Sequence, residues 1–325
     1  MSQLVIRSAQ DAIAAVPYML GFHPSRSLVV IGYDGPLDTC ALRLDLPAPD
    51  EAVHHAAEVL AVNGFRSGLL LGYGDPGEVG AAAVATRAAL TAAGVAPGEA
   101  IRVADGRWWS LTCDDACCPA EGAPYDISGS VVAAQATFAG HVALADRDEL
   151  VRSVQPVPDT PALRAATERA EKRFLARARE PSGRFASKAT EEGVAFVASV
   201  RADLTDDEVA WLGVLLTDRR VRDEAWVRID EDSPAADIRF WRDVTRRVRA
   251  PYTAGPAALL AYAAYAMGDG GLANIALDRA LDADPAYSMA VLLRQVITSG
   301  IPPSKARMRM TPGQLAAAYD EKEAG

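Results

Sequence analysis

Three of the four cysteines fall close together as Cys113, Cys117 and Cys118, a C-x3-C-C run between two tryptophans and a proline-rich loop. Thiols in such a cluster could ligate zinc, exchange electrons or attack a substrate. A closed zinc site takes four ligands, commonly offered as C-x2-C pairs. Here there are three, two of them adjacent, so His23 or Cys40 would have to supply the fourth. Nucleophilic chemistry needs surroundings that favour thiolate. Asp114, Asp115 and Glu121 disfavour it. The favoured reading is therefore packed, structural thiols, with the metal and redox readings left open.

The segment GFHPSRS, Gly21 to Ser27, gathers His23 and Ser25 in one loop. Neither a G-x-S-x-G elbow nor an H-E-x-x-H pair accompanies them. The loop precedes its strand, whereas sites in open α/β sheets lie beyond strand C-termini. A turn histidine satisfied by backbone is the simpler reading. GYGDPG, Gly72 to Gly77, fits the dinucleotide pattern G-x-G-x-x-G between a strand and a helix. Asp75 and Pro76, however, form a good helix start and aim a negative charge where a pyrophosphate would sit. No cofactor is expected. Trp108 and Trp109 are neighbours on one strand and so face opposite sides. Trp109, in line with Leu111 and Cys113, is expected in the core. Trp108, in line with Ser110 and Thr112, is a candidate platform for a ligand or partner.

The elements that must position these residues change character near Ser128. Before it, helix and strand patterns mix. A helix at 9–20 is followed by an apolar strand at 27–33 and an alternating strand at 39–46, which together suggest an antiparallel hairpin. A helix at 49–62, a strand at 67–71, a helix running to 93, and a second hairpin at 99–112 turning on Asp105-Gly106 complete the pattern. The fold class is α/β: a mixed-sheet domain over residues 1–150, then an all-α domain over 151–325. The linker is Gln155 to Pro161. Helices are expected at 162–179, 188–202, 206–217, 219–226, 235–249, 256–267, 271–282 and 286–298, and a loosely held tail after Ile301. Ala257 to Pro285 reads as one tetratricopeptide-like helix pair around a GDG turn.

Half of the 325 residues are hydrophobic, enough for two cores. Residues 1–150 carry 8 Arg, no Lys and 18 acidic residues, while residues 151–325 are neutral overall. An acidic front half repels phosphate backbones, so nucleic acid is not an expected partner. No leader pattern opens the chain, and no apolar run reaches the roughly 18 residues that would cross a bilayer. The expectation is a cytoplasmic protein without membrane partners. The arginine clusters at Arg219, Arg220 and Arg222, and from Arg242 to Arg249, are interleaved with Asp218, Asp223, Glu224 and Asp243, which points to internal ion pairs.

With VPYMLGFHPSRSLVVIGY (16–33), GRWWSLTCDDACCPAEGAPYD (106–126) and PAALLAYAAYAMGDGGLANIALDRALDADPAYSMAVLL (256–293) in view, the chain resembles the family called DUF4192. That resemblance implies a bacterial cytoplasmic protein and brings no activity, cofactor or catalytic residues. The leading expectation is a non-enzymatic binding or adaptor protein, with an unknown protein or small-molecule ligand as partner. The alternative is a hydrolase or a thiol- or metal-dependent enzyme, working at a surface around His23, Ser25, Trp108, Cys113, Cys117 and Cys118.

Overall fold

The computed structural model describes residues 6–36, 39–113, 118–138, 140, 142–183, 185–200 and 203–324. The chain divides into two compact units: Met1–Leu150 with Ile297–Pro302, and Val151–Val296 with Pro303–Gly325.

In the first unit α1 (Ala9–Leu20) is capped by the Ser8 hydroxyl, which accepts from the Asp11 amide at 3.1 Å. It is followed by β1 (Ser27–Tyr33), β2 (Cys40–Asp45), α2 (Asp50–Val62), β3 (Ser67–Tyr73) and α3 (Pro76–Ala92). Then come β4 (Ala96–Ala104), β5 (Arg107–Ser110), the two-residue β6 (Ala123–Pro124) and the helices α4 (Val131–Phe138) and α5 (Arg147–Arg152). The six strands form one mixed sheet in the order β2-β1-β3-β4-β5-β6. Only β3 and β4 run parallel; every other pair is antiparallel.

Leu28 through Ile31 are buried at consecutive positions, as a strand covered on both faces requires. Leu28, Val30, Leu70 and Ala100 pack against Leu60, Val79 and Leu90 of α2 and α3. Ala14 and Ala15 of α1 pack against Val132 of α4. Alternation along β2 puts Cys40, Leu42 and Leu44 against the first core, leaving Arg43 and Asp45 on the other face. Gly72 permits α3 to lie close on the sheet, since a Cβ there would come within 2.2 Å of Val79 Cγ1. The same unit takes in residues 297–302. Thr298 O is hydrogen-bonded to His55 Nε2 at 3.1 Å, and Ser299 O accepts from Asn63 Nδ2 at 2.9 Å.

The second unit is helical, and among its described residues no strand is formed. Its helices are α6 (Pro161–Arg177), α7 (Lys188–Ser199), α8 (Asp206–Leu215), α9 (Arg219–Trp226), α10 (Ala235–Arg247), α11 (Ala254–Met267), α12 (Gly270–Ala283) and α13 (Ser288–Thr298). A 3-10 turn at Pro303–Lys305 leads to α14 (Pro312–Ala324). Starts are set by side-chain caps: Thr160 for α6, Ser187 for α7, Asp218 for α9, and a full capping box from Thr205 and Glu208 for α8. α11 is buried along almost its whole length and is apolar all round, which makes it the centre of this unit.

The tail is not loosely held, contrary to its two proline-containing breaks. Arg307 pairs with Asp232 at 2.7 Å, the Met308 amide donates to Glu231 at 2.8 Å, and α14 buries Leu315.

Candidate functional site

The sheet topology brings the two glycine-containing loops of the first unit side by side. β1 is antiparallel to β3, with Ser27 opposite Tyr73, so the loop before β1 meets the edge at which β2, β3 and β4 end. His23 and Ser25 precede their own strand and yet sit at the edge where its neighbours end. At this edge Arg26 adopts φ 40° and its carbonyl accepts from the Leu46 amide at 2.9 Å. Its exposed guanidinium pairs with Glu78 at 3.1 Å. Arg102 Nε donates to Gly74 O at 2.9 Å.

The candidates themselves are quiet here. His23 is exposed, and its backbone amide donates to Leu144 O at 2.9 Å. Ser25 is exposed, and its carbonyl accepts from Ser27 Oγ at 3.1 Å. The amides opening α3 are occupied as well. Gly77 N and Glu78 N both donate to Asp75 Oδ1, at 2.8 and 3.4 Å, where a phosphate would have to bind.

One row of residues runs across the sheet from this edge: Ser27, Tyr73, Val103, Trp108 and Ala123. Trp108 is half-buried in it. The Tyr73 hydroxyl is buried without a partner among the described residues; burial, and then the neighbouring Tyr125, hold its pKa above the usual phenol range. Trp109 does not enter the core. It lies opposite Arg102 and is half-buried, with that guanidinium 4.4 Å from its ring centroid and its Nε1 donating to Ala120 O at 3.1 Å. Alternation set the two tryptophans on opposite faces, but the helices cover the sheet only partway to β5.

The cysteines lie elsewhere. β5 runs back along β4, so its end sits beside Ala100 at the sheet edge opposite to His23. There the Cys113 amide donates to Ser110 Oγ at 3.0 Å, and the Ser110 and Thr112 hydroxyls donate to Glu99 at 2.5 and 2.7 Å. β1 and β5 are three strand spacings apart, roughly 14 Å. His23 and Cys113 are thus not brought together. Cys40 is four strand spacings from β5, on β2, where burial pushes its thiol up to about 11. Cys118 is half-buried, and Cys117 lies outside the described residues. Among the described residues no group of three His, Cys, Asp or Glu side chains is placed to hold a metal ion.

The helical unit holds a cleft of about 640 Å³ lined by α7, α9 and α14. Its floor is a charge-paired row on α9 and the turn after it. Glu224, 2% exposed, accepts from Arg220 Nη1 at 2.7 Å through one oxygen and from Arg228 Nη2 at 2.6 Å through the other. Arg220, 8% exposed, also lies 4.7 Å from the ring centroid of Tyr319 on α14. The Tyr319 hydroxyl donates to Asp223 Oδ2 at 2.6 Å; burial and this carboxylate hold its pKa above the usual phenol range. Asp218 caps α9 through Arg220 N at 2.8 Å and accepts from the buried Thr190 Oγ1 at 2.6 Å.

Phe185, Val194 and Ala316 supply apolar wall, and none of the described lining residues is a histidine or cysteine. Fixed donors and acceptors beside apolar wall can orient a ligand. Residues 220, 224 and 228 recur at the four-residue spacing of one helix face, a signal present in the sequence. Nothing there pointed to Tyr319.

No curated protein and no solved structure matches this chain. A family model described as a domain of unknown function does match, over residues 10–304, which takes in both units and stops short of α14. The chain belongs to the DUF4192 family.

Proposed function

We propose that this is a non-enzymatic binding or adaptor protein of the bacterial cytoplasm, taking its ligand in the cleft of the helical unit. The observation that carries this reading is the cleft itself. It is large enough for a ligand, and its arginines, carboxylates and tyrosine are held in place by one another. A lining of side chains that hold one another supports recognition. The enzymatic alternative has less support, because its premise was one surface shared by His23 and the cysteines. The tetratricopeptide-like pair α11–α12 is read as scaffold, since α11 is buried nearly throughout. The acidic first unit makes nucleic acid a poor partner.

The test is quantitative affinity capture from native lysate with three baits: the natural chain, Val194→Arg to fill the cleft, and His23→Ala at the sheet edge. The expected result is a species retained by the natural chain and by His23→Ala but lost with Val194→Arg. Loss with His23→Ala alone would move the site to the sheet edge and refute this reading.

A further inference from the structure

We infer that the groove between α7 and α9 is a docking site for an amphipathic helix of a partner protein, and that α14 occupies it as a displaceable stand-in. The inference rests on the binding reading above and names the class of ligand. The groove walls, Thr190 and Val194 on α7 and Arg220 and Glu224 on α9, lie inside the residues that match the family, whereas α14 lies beyond them.

α14 turns Pro312, Gly313, Ala316, Tyr319 and Asp320 to the groove. Tyr319 stacks over Arg220 and donates to Asp223, and Leu315, four positions before it, is the buried apolar residue of the helix. Such i, i+4 anchors are how a helix reads a groove. The helix is organised in advance by a reciprocal cap, in which Thr311 N donates to Gln314 Oε1 at 2.8 Å and Gln314 N to Thr311 Oγ1 at 3.2 Å.

Yet α14 covers the groove without filling it. The cleft of about 640 Å³ remains beneath it, with the small Ala316 on its wall. At the rim Arg219 is exposed and has no ion-pair partner among the described residues, and the acidic Asp320 lines the same cleft. The fitting partner is therefore a short helix with an apolar residue and a tyrosine four positions apart. It carries a side chain larger than alanine after the apolar residue, and acidic residues after the tyrosine.

The test uses the full chain and fluorescein-labelled peptides of sequence 311–324, read by anisotropy. Tyr319→Ala and the milder Tyr319→Phe loosen α14 in the chain. The peptide carrying Ala316→Leu should bind the Tyr319→Ala chain about ten-fold or more tighter than it binds the natural chain, with Tyr319→Phe between. It should also bind more tightly than the unsubstituted peptide, and a Leu315→Asp peptide should not bind. Absence of binding by every peptide, or equal binding by the Leu315→Asp peptide, would overturn the inference. So would light scattering that shows the chain to be a dimer dissociated by the peptide, since the occupant would then be a second copy. If Val194→Arg still loses its captured species while no peptide binds, the cleft reading survives and only the helix fails.

Discussion

The sheet edge of the first unit and the cleft of the second unit are both rich in polar residues, but they use them differently. At the sheet edge, apart from the exposed Arg26–Glu78 pair, the polar groups are turned on the backbone. Asp75 takes two amides of its own helix, Arg102 takes Gly74 O, and the His23 amide takes Leu144 O. Such bonds shape loops. In the cleft, side chains bind side chains: Arg220 and Arg228 to Glu224, Thr190 to Asp218, Tyr319 to Asp223. Charges fixed by other charges keep their orientation when the backbone moves slightly, as a recognition surface requires. A motif that looks like a site can be fold chemistry, and a charge run that looks like surface can be the organised place.

Substitutions can break this contrast, and the largest effect should come from Glu224→Ala. It leaves Arg220 buried beside Arg228 with no counter-charge, at a cost of about 3–5 kcal/mol in denaturant unfolding. Asp75→Ala, which removes only a helix cap, should cost about 1 kcal/mol. Equal costs would mean that the cleft charges are no more interdependent than those of the edge.

Gly72→Ala should cost about 1–3 kcal/mol, because the added methyl meets Val79 and α3 must shift off the sheet. If stability is unchanged, the close approach of helix and strand is not what holds that edge. The same substitution should leave calorimetric titrations with NAD or ATP flat, since Asp75 already occupies the amides of α3.

Acid should separate the units. Asp159 is held below its usual range chiefly by its hydrogen bond from Arg249, Glu191 by that from Lys188, and Glu208 by that from the Thr205 amide. All three are in the helical unit, against Asp126 alone among the described residues of the α/β unit, held low by the Ser128 amide. Groups with a depressed folded pKa stabilise above their unfolded values, here 3.8 to 4.5, and that stability is lost as pH falls through the folded values. Between about pH 5 and 3 the amides of α6 to α8 should therefore lose hydrogen-exchange protection before those of β1 and β3. Earlier loss of protection in β1 and β3 would reverse the assignment.

The smallest effect belongs to His23→Ala, within about 0.5 kcal/mol, since the ring is exposed and only the backbone amide is bonded among the described residues.

Much of this architecture could be read from residue order. The β1–β2 hairpin followed from an apolar run, a turn and an alternating strand; the α3 start followed from Asp75 and Pro76; the α8 start followed from Thr205 and Glu208. These are local, and local chemistry decides them. What escaped depends on contacts distant in sequence. Nothing near His23 reveals that β1 is inserted antiparallel between β2 and β3, so the edge its loop occupies could not be read. β6 exists only because Ala123 meets Trp108. The face of Trp109 was legible, but whether a helix reached over it was not. The ion-pairing of Arg220 was visible in its spacing to Glu224, while Tyr319 sits almost a hundred residues beyond.

Residues 297–302 return to cover α2, where Gly300 lies so close that a Cβ would be 2.4 Å from Val59 Cγ1. The α/β unit is consequently unfinished when its own first 150 residues leave the ribosome. About 150 more must be synthesised before Thr298 reaches His55, which at ordinary elongation rates is roughly 8–30 s. Throughout that interval the nascent unit shows an uncovered helix face, and residues 151–296 of the helical unit are made in the meantime. The domain begun first waits on a segment that most of the other domain precedes.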